Sequence, residues 1–232
     1  MRQRTAKANA RIHRANREAR ASDPSAIGDS LPSPTDPSRS GGLPASAKEL
    51  YVGSQIPKRH RENASKVDAS ACQPWTQVRD RVINRVREGY IIALLGNRGT
   101  GKSQIAEQLI RYATYRKPRL TAMYARAMTI ILEIRKTYSD DGLAELDVVK
   151  RYCEPDVLVI DEFQERGETP FEDRMLTHIV DQRYGDMKDT LIIANLTNEA
   201  FKASAGPSIV DRLRETGEMI PCEWESWRGK KT

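Results

Sequence analysis

Cysteine is scarce in this 232-residue chain: Cys72, Cys153 and Cys222 lie far apart, with no C-x-x-C among them. An odd, scattered set excludes a disulfide framework, and His13, His60 and His178 do not gather with it into a zinc-ligand pattern. That usage predicts a reducing, cytoplasmic compartment. Long apolar runs are missing too, and none approaches the roughly 18 residues of a membrane span. The charged N-terminus lacks the apolar core of a secretory signal. The chain therefore reads as soluble, with no membrane partner. No internal repeat is visible.

Acidic residues are nearly absent from the first twenty positions. Arg2, Arg4, Lys7, Arg11, Arg14, Arg17 and Arg20 stand there against Glu18 alone. That excess equals the formal charge of the whole chain, +6, so the remainder is neutral. On a helical wheel Arg4, Lys7, Arg11 and Arg14 fall within about 80° of one another. Ile12 is the only large apolar residue near them, so the segment cannot stay folded alone. Two readings stay open: a disordered basic tail, or a helix that forms on nucleic acid or on another protein. Residues 21–47 hold Pro24, Pro32, Pro34, Pro37 and Pro44 with seven serines and Gly28, Gly41 and Gly42, the composition of a linker. The expected organisation is a basic arm at 1–20, a linker at 21–47 and one folded domain at 48–232.

Within that domain, Trp75, Val78, Val82 and Val86 predict an amphipathic helix over 74–88, ended by Gly89. Apolar runs at 90–95, 120–124, 156–161, 191–195 and 218–223 predict five strands. Helical patterns lie between them, from Gln104 to Ile110, around Met128–Ile134, over 143–152 and over 171–184, with short helices at 198–202 and 208–214. Strands alternating with helices over short links mean an α/β domain with a mostly parallel five-stranded sheet.

Between the first strand and its helix lies Gly96-Asn97-Arg98-Gly99-Thr100-Gly101-Lys102-Ser103, which fits G-x-x-x-x-G-K-[ST] at every fixed position. Strand, glycine loop and helix are the context this phosphate-binding motif needs. Its amides would surround the phosphates of a nucleoside triphosphate, Lys102 would reach the β- and γ-phosphates, and Ser103 would ligate Mg²⁺. The third strand ends in Asp161-Glu162. Asp161 is placed to hold the metal, and Glu162 to orient and deprotonate an attacking water. Asn195 ends the fourth strand at the same edge of a parallel sheet, where it can sense the γ-phosphate; the competing reading is a helix N-cap by Asn195, Thr197 or Asn198. Arg212, judged by its spacing from Ile209, Val210 and Leu213, reads as an exposed arginine pairing with Asp211 or Glu215.

Taken in order, these motifs and the stretch Trp224-Glu225-Ser226-Trp227-Arg228 resemble the AAA+ helicase loaders of the DnaC/DnaI group and the related IstB transposition ATPases. Val180-Asp181-Gln182-Arg183 is similar to the loaders' segment before the sensor strand. The resemblance covers roughly residues 50–228 and implies a three-layer αβα P-loop domain without a C-terminal helical lid. It implies ATP rather than GTP, in keeping with the lack of a guanine-reading N-K-x-D. It further implies Lys102, Glu162 and Asn195 as catalytic, self-association through the nucleotide site, and Arg212 as the finger that reaches a neighbour's ATP. The expected activity is ATP-driven loading of a replicative ring helicase onto single-stranded DNA. The alternatives are an IstB-like partner of a transposase and a nucleotide-gated DNA-binding adaptor that barely hydrolyses.

Overall fold

A computed structural model describes residues 45–64, 72–138, 144–167 and 169–227. The basic arm at 1–20 and the linker up to residue 44 lie outside the described residues, as does Arg228.

Five strands form the centre: β1 (Ile91–Leu95), β2 (Ala122–Arg126), β3 (Val157–Asp161), β4 (Asp189–Ala194) and β5 (Glu218–Pro221). They pair in the order β2-β3-β4-β1-β5, and every pair is parallel. β1, β3 and β4 are buried at every residue, the mark of a sheet covered on both faces. The covering helices are α1 (Ala45–Gly53), α2 (Lys58–Asn63), α3 (Gln73–Asn84), α4 (Lys102–Tyr115), α5 (Ala127–Lys136), α6 (Glu145–Cys153), α7 (Pro170–Gly185) and α8 (Asn198–Thr216).

Successive strand residues point to opposite faces, and the core divides accordingly. Ile91, Ala93 and Leu95 of β1 pack with apolar residues of α5, α6, α7 and α8. Ile92 and Leu94 pack with those of α1, α3 and α4. The result is three layers, αβα. Each fully buried aliphatic side chain in it contributes about 2 kcal/mol relative to exposure.

Departures from expectation have local causes. Helix α3 stops at Asn84 rather than running to Gly89. The buried Asp189 carboxylate accepts from Arg87 N at 2.5 Å and Gly89 N at 2.9 Å, and captured amides cannot continue a helix. Arg87 and Gly89 both take positive φ in the resulting turn. α8 is assigned as one element, but Gly206 at φ 78° and ψ 166° breaks it into the two pieces expected. α1 begins at Ala45, inside the stretch whose composition reads as linker, and neither α1 nor α2 is signalled by periodicity. α1 is tied to α4 by Tyr51 OH to Glu107 at 2.5 Å, the turn after it to β2 by Tyr124 N to Ser54 O at 2.7 Å, and α2 to α4 by Gln104 Nε2 to His60 O at 3.4 Å.

The register brings the C-terminal ends of the strands together. Leu95 lies beside Ala194 and Pro221, and Arg126 beside Asp161. The opposite edge is closed by Arg183 of α7, fully buried, whose guanidinium donates to Thr190 Oγ1 and to the carbonyls of Tyr152, Cys153, Pro155 and Asp189. Burial lowers its pKa to about 10, which still leaves it charged at neutral pH.

Candidate functional site

The glycine loop joins β1 to α4 at the C-terminal edge of the sheet. Gly96, Gly99 and Gly101 all have positive φ, at 125°, 88° and 83°. Space as well as dihedral demands glycine: a Cβ on Gly96 would lie 2.5 Å from Cys222 O, and one on Gly101 would lie 2.7 Å from Trp75 Nε1. Gly96 N donates to Leu196 O at 3.0 Å, tying the loop to the end of β4. Lys102, 4% exposed, lays its ammonium on Gly96 O at 2.8 Å and Asn97 O at 2.7 Å.

The acidic pair meets the first residue pair of α4. Asp161 is 4% exposed, and its Oδ2 accepts from Ser103 Oγ at 2.8 Å and from Tyr124 OH at 2.7 Å. Burial, then the Asp161 charge, hold the Tyr124 phenol far above its ordinary pKa, so it stays a donor. Asp161 Oδ1 accepts from Glu162 N at 2.7 Å. Glu162 itself sits at φ 53°, a left-handed conformation uncommon outside glycine and concentrated at functional turns. Its carboxylate pairs with Arg126 at 3.1 Å.

A 3₁₀ turn, Phe163–Glu165, follows and reaches the other two pieces of the edge. Gln164 Oε1 accepts from Asn195 N at 2.9 Å, and Glu165 pairs with Arg98 of the loop at 2.8 Å. Arg166 then binds Phe163 O, Asp173 and Ser204 O, linking the turn to α7 and α8. Capping of α8 falls to Thr197, whose hydroxyl accepts from Ala200 N at 3.2 Å. Asn195, half-buried, lies one residue past the end of β4.

The edge thus gathers Gly96–Ser103, Asp161, Glu162 and Asn195. Arg212 is placed elsewhere. α8 runs from the C-terminal end of β4 to the start of β5, and Arg212 lies in its last turns, away from the loop. It pairs with Asp181 at 3.4 Å and Asp211 at 3.7 Å and stacks on the Tyr184 ring at 4.5 Å. Its bonds differ from expectation in running mainly to α7, because that helix packs alongside.

The arrangement suits a magnesium nucleotide. Positive-φ glycines turn backbone amides inward, as an anion requires. Ser103 Oγ and Asp161 Oδ2 offer two hard oxygens, which a small divalent cation completes with phosphate and water. No cluster of three or more His, Cys, Asp or Glu exists among the described residues to hold a metal by itself. No helix among them is long and apolar enough to cross a membrane. Tyr124, Arg126 and Gln164 were not signalled by any motif; only the register of β2 on β3 reveals the first two.

A family model described as IstB-like ATP binding protein matches residues 75–232. YdaV of Escherichia coli K12 is 32% identical over 137 residues, covering 59% of this chain and 54% of that one. The replicative helicase loader DnaC of the same strain is 25% identical over 138 residues, covering 59% and 56%. The chain spans about half the length of the curated relatives it matches. Among solved structures, the DnaC helicase loader superposes with a TM-score of 0.58 at 17% identity over 71% of this chain and 99% of that one. DnaA from Aquifex aeolicus bound to AMPPCP gives 0.54 at 17% identity, covering 64% and 45%. At such identity these likenesses show the fold.

Proposed function

The chain belongs to the IstB-like ATP binding proteins, with an AAA+ P-loop fold, and from that premise we propose that it hydrolyses ATP to load a replicative ring helicase onto single-stranded DNA. The observation that carries the chemistry is the meeting of Ser103, Asp161 and Glu162 at one strand edge beside Lys102. The relatives named as replicative helicase loaders support the choice of partner.

In this reading the loop amides and Lys102 hold the phosphates, and Ser103 and Asp161 hold Mg²⁺. The metal supplies charge neutralisation on the phosphate oxygens. Glu162 orients the attacking water and takes its proton, for which it must leave Arg126. Asn195 reads the γ-phosphate. Arg212 lies at the wrong end of α8 to serve its own loop, so it acts on the site of a neighbouring subunit, and the protein works as an assembly. The basic arm at 1–20 docks on the helicase.

The test is co-purification with the replicative helicase, with and without ATP, together with hydrolysis measured with and without single-stranded DNA. Capture of the helicase and DNA-stimulated hydrolysis are expected. The family description favours a second reading, an ATPase that serves a transposase; recovery of a transposase and preference for duplex DNA would establish it instead.

A further inference from the structure

The chain has three tryptophans, Trp75, Trp224 and Trp227, and all three close on the glycine loop. Trp75 Nε1 on α3 donates to Gly101 O at 3.1 Å. Trp224 Nε1 donates to Thr100 O at 2.8 Å, and Trp227 N to Gly99 O at 3.0 Å. The rings of Trp75 and Trp227 lean together with centroids 5.3 Å apart. A Cβ on Gly101 would meet both. The segment carrying Trp224 and Trp227 is mounted on the sheet, since Cys222 N donates to Leu95 O at 2.6 Å, directly beyond the β1–β5 pairing.

Three consecutive loop carbonyls, at 99, 100 and 101, are therefore held by donors from outside the motif, the third of them also by Gln104 N and Ile105 N at the start of α4. In a trans peptide the C=O and the N–H that follows it point in opposite directions. Holding those carbonyls outward turns the N–H groups of Thr100, Gly101 and Lys102 the other way. Those are the donors that an anion-binding loop presents to phosphate oxygens.

We propose that the three tryptophans are positioning residues for the nucleotide, and that Cys222–Trp227 is a strap that sets phosphate affinity from outside the G-x-x-x-x-G-K-S motif. The proposal rests on reading Gly96–Ser103 as a triphosphate site. Packing alone does not account for the strap: Trp224 and Trp227 lean on the core that includes Trp75, yet the Trp224 indole N–H and the Trp227 main-chain N–H go to loop carbonyls.

Trp224→Phe keeps an aromatic ring and removes the N–H, so it separates orientation from packing. ATP and ADP, each with Mg²⁺, are titrated into both proteins by calorimetry, and melting temperature is read with and without nucleotide. Loss of one neutral hydrogen bond, about 1 kcal/mol, corresponds to roughly 5-fold weaker binding of both nucleotides. The melting temperature without nucleotide falls by no more than about 2–4 °C, the worth of one such bond, while the nucleotide-induced rise shrinks. Equal affinities for both nucleotides in the two proteins, or a nucleotide-free melting temperature lowered well beyond that, overturn the proposal while leaving the triphosphate site standing. Failure of the unsubstituted protein to bind either nucleotide removes the triphosphate reading, and the proposal with it.

Discussion

At one edge of the sheet Arg183 and Asp189 are buried with their polar atoms committed to fixed partners: five acceptors for the guanidinium, three backbone amides for the carboxylate. At the other edge Lys102 and Asp161 are almost as deeply buried, but their partners are loop carbonyls, a serine hydroxyl and a tyrosine hydroxyl. The first edge holds charge in order to close the fold. The second holds charge within reach of groups that a ligand can replace. Substitutions at the two edges should therefore separate stability from activity, and Arg212, on the first edge's side of α8, should break the rule.

Arg212→Ala carries the largest expected effect. If the arginine stabilises charge on a neighbour's phosphate, hydrolysis by the assembled protein falls about 10³-fold or more, while ATP still binds. Mixing Arg212→Ala with Lys102→Ala should restore part of the rate, since one supplies an intact loop and the other an intact arginine. Loss of ATP binding, or a rate left untouched, would sink the trans assignment.

Arg183→Met should do the reverse. It leaves five acceptors without their donor, a change of about 3–5 kcal/mol in unfolding free energy by urea titration, and in the folded fraction nucleotide affinity stays near its original value. Asp189 adds a pH signature. Burial raises its pKa to about 6 against the three amide bonds that lower it, compared with about 3.9 in an unfolded chain. The folded state binds this proton more tightly, so the contribution is fully present below pH about 4 and is lost as pH rises through 6. On the order of 2 kcal/mol is at stake. Unfolding measured from pH 4 to 7 should show that decline, and Asp189→Asn should flatten it.

The two edges also differ in how far they could be read in advance. The glycine loop, the acidic strand end and the alternation that fixes an αβα sandwich are contiguous in the chain, so local pattern suffices. Each buried strand announces itself by an apolar run. Arg183 is recognisable by resemblance, but nothing local says that Tyr152 and Pro155 will feed it carbonyls. Trp75 counts in sequence as one apolar point on the stripe of α3; its bond to Gly101 exists only once α3 lies against the loop. α1 and α2 are held by contacts across the fold, Tyr51 with Glu107 and His60 with Gln104, which no local pattern announces. The turn at Arg85–Glu88 escaped for a like reason, since the carboxylate that bends it is about a hundred residues away.

The smallest effect belongs to Arg126, which sits on the ligand edge yet pairs like a structural residue. Its bond to Glu162 spans 3.1 Å between side chains 54% and 41% exposed, so breaking it should cost less than about 1 kcal/mol of stability. What it controls is where the Glu162 carboxylate rests. Ion-paired, that carboxylate is held beside β2; the proposed base must be released before it can take a proton from water. Arg126→Ala therefore should raise hydrolysis without DNA a few-fold and reduce the stimulation by single-stranded DNA, with ATP affinity unchanged. A variant whose basal rate falls instead would mean that Arg126 orients Glu162 for attack, and the pair would then belong wholly to the ligand edge.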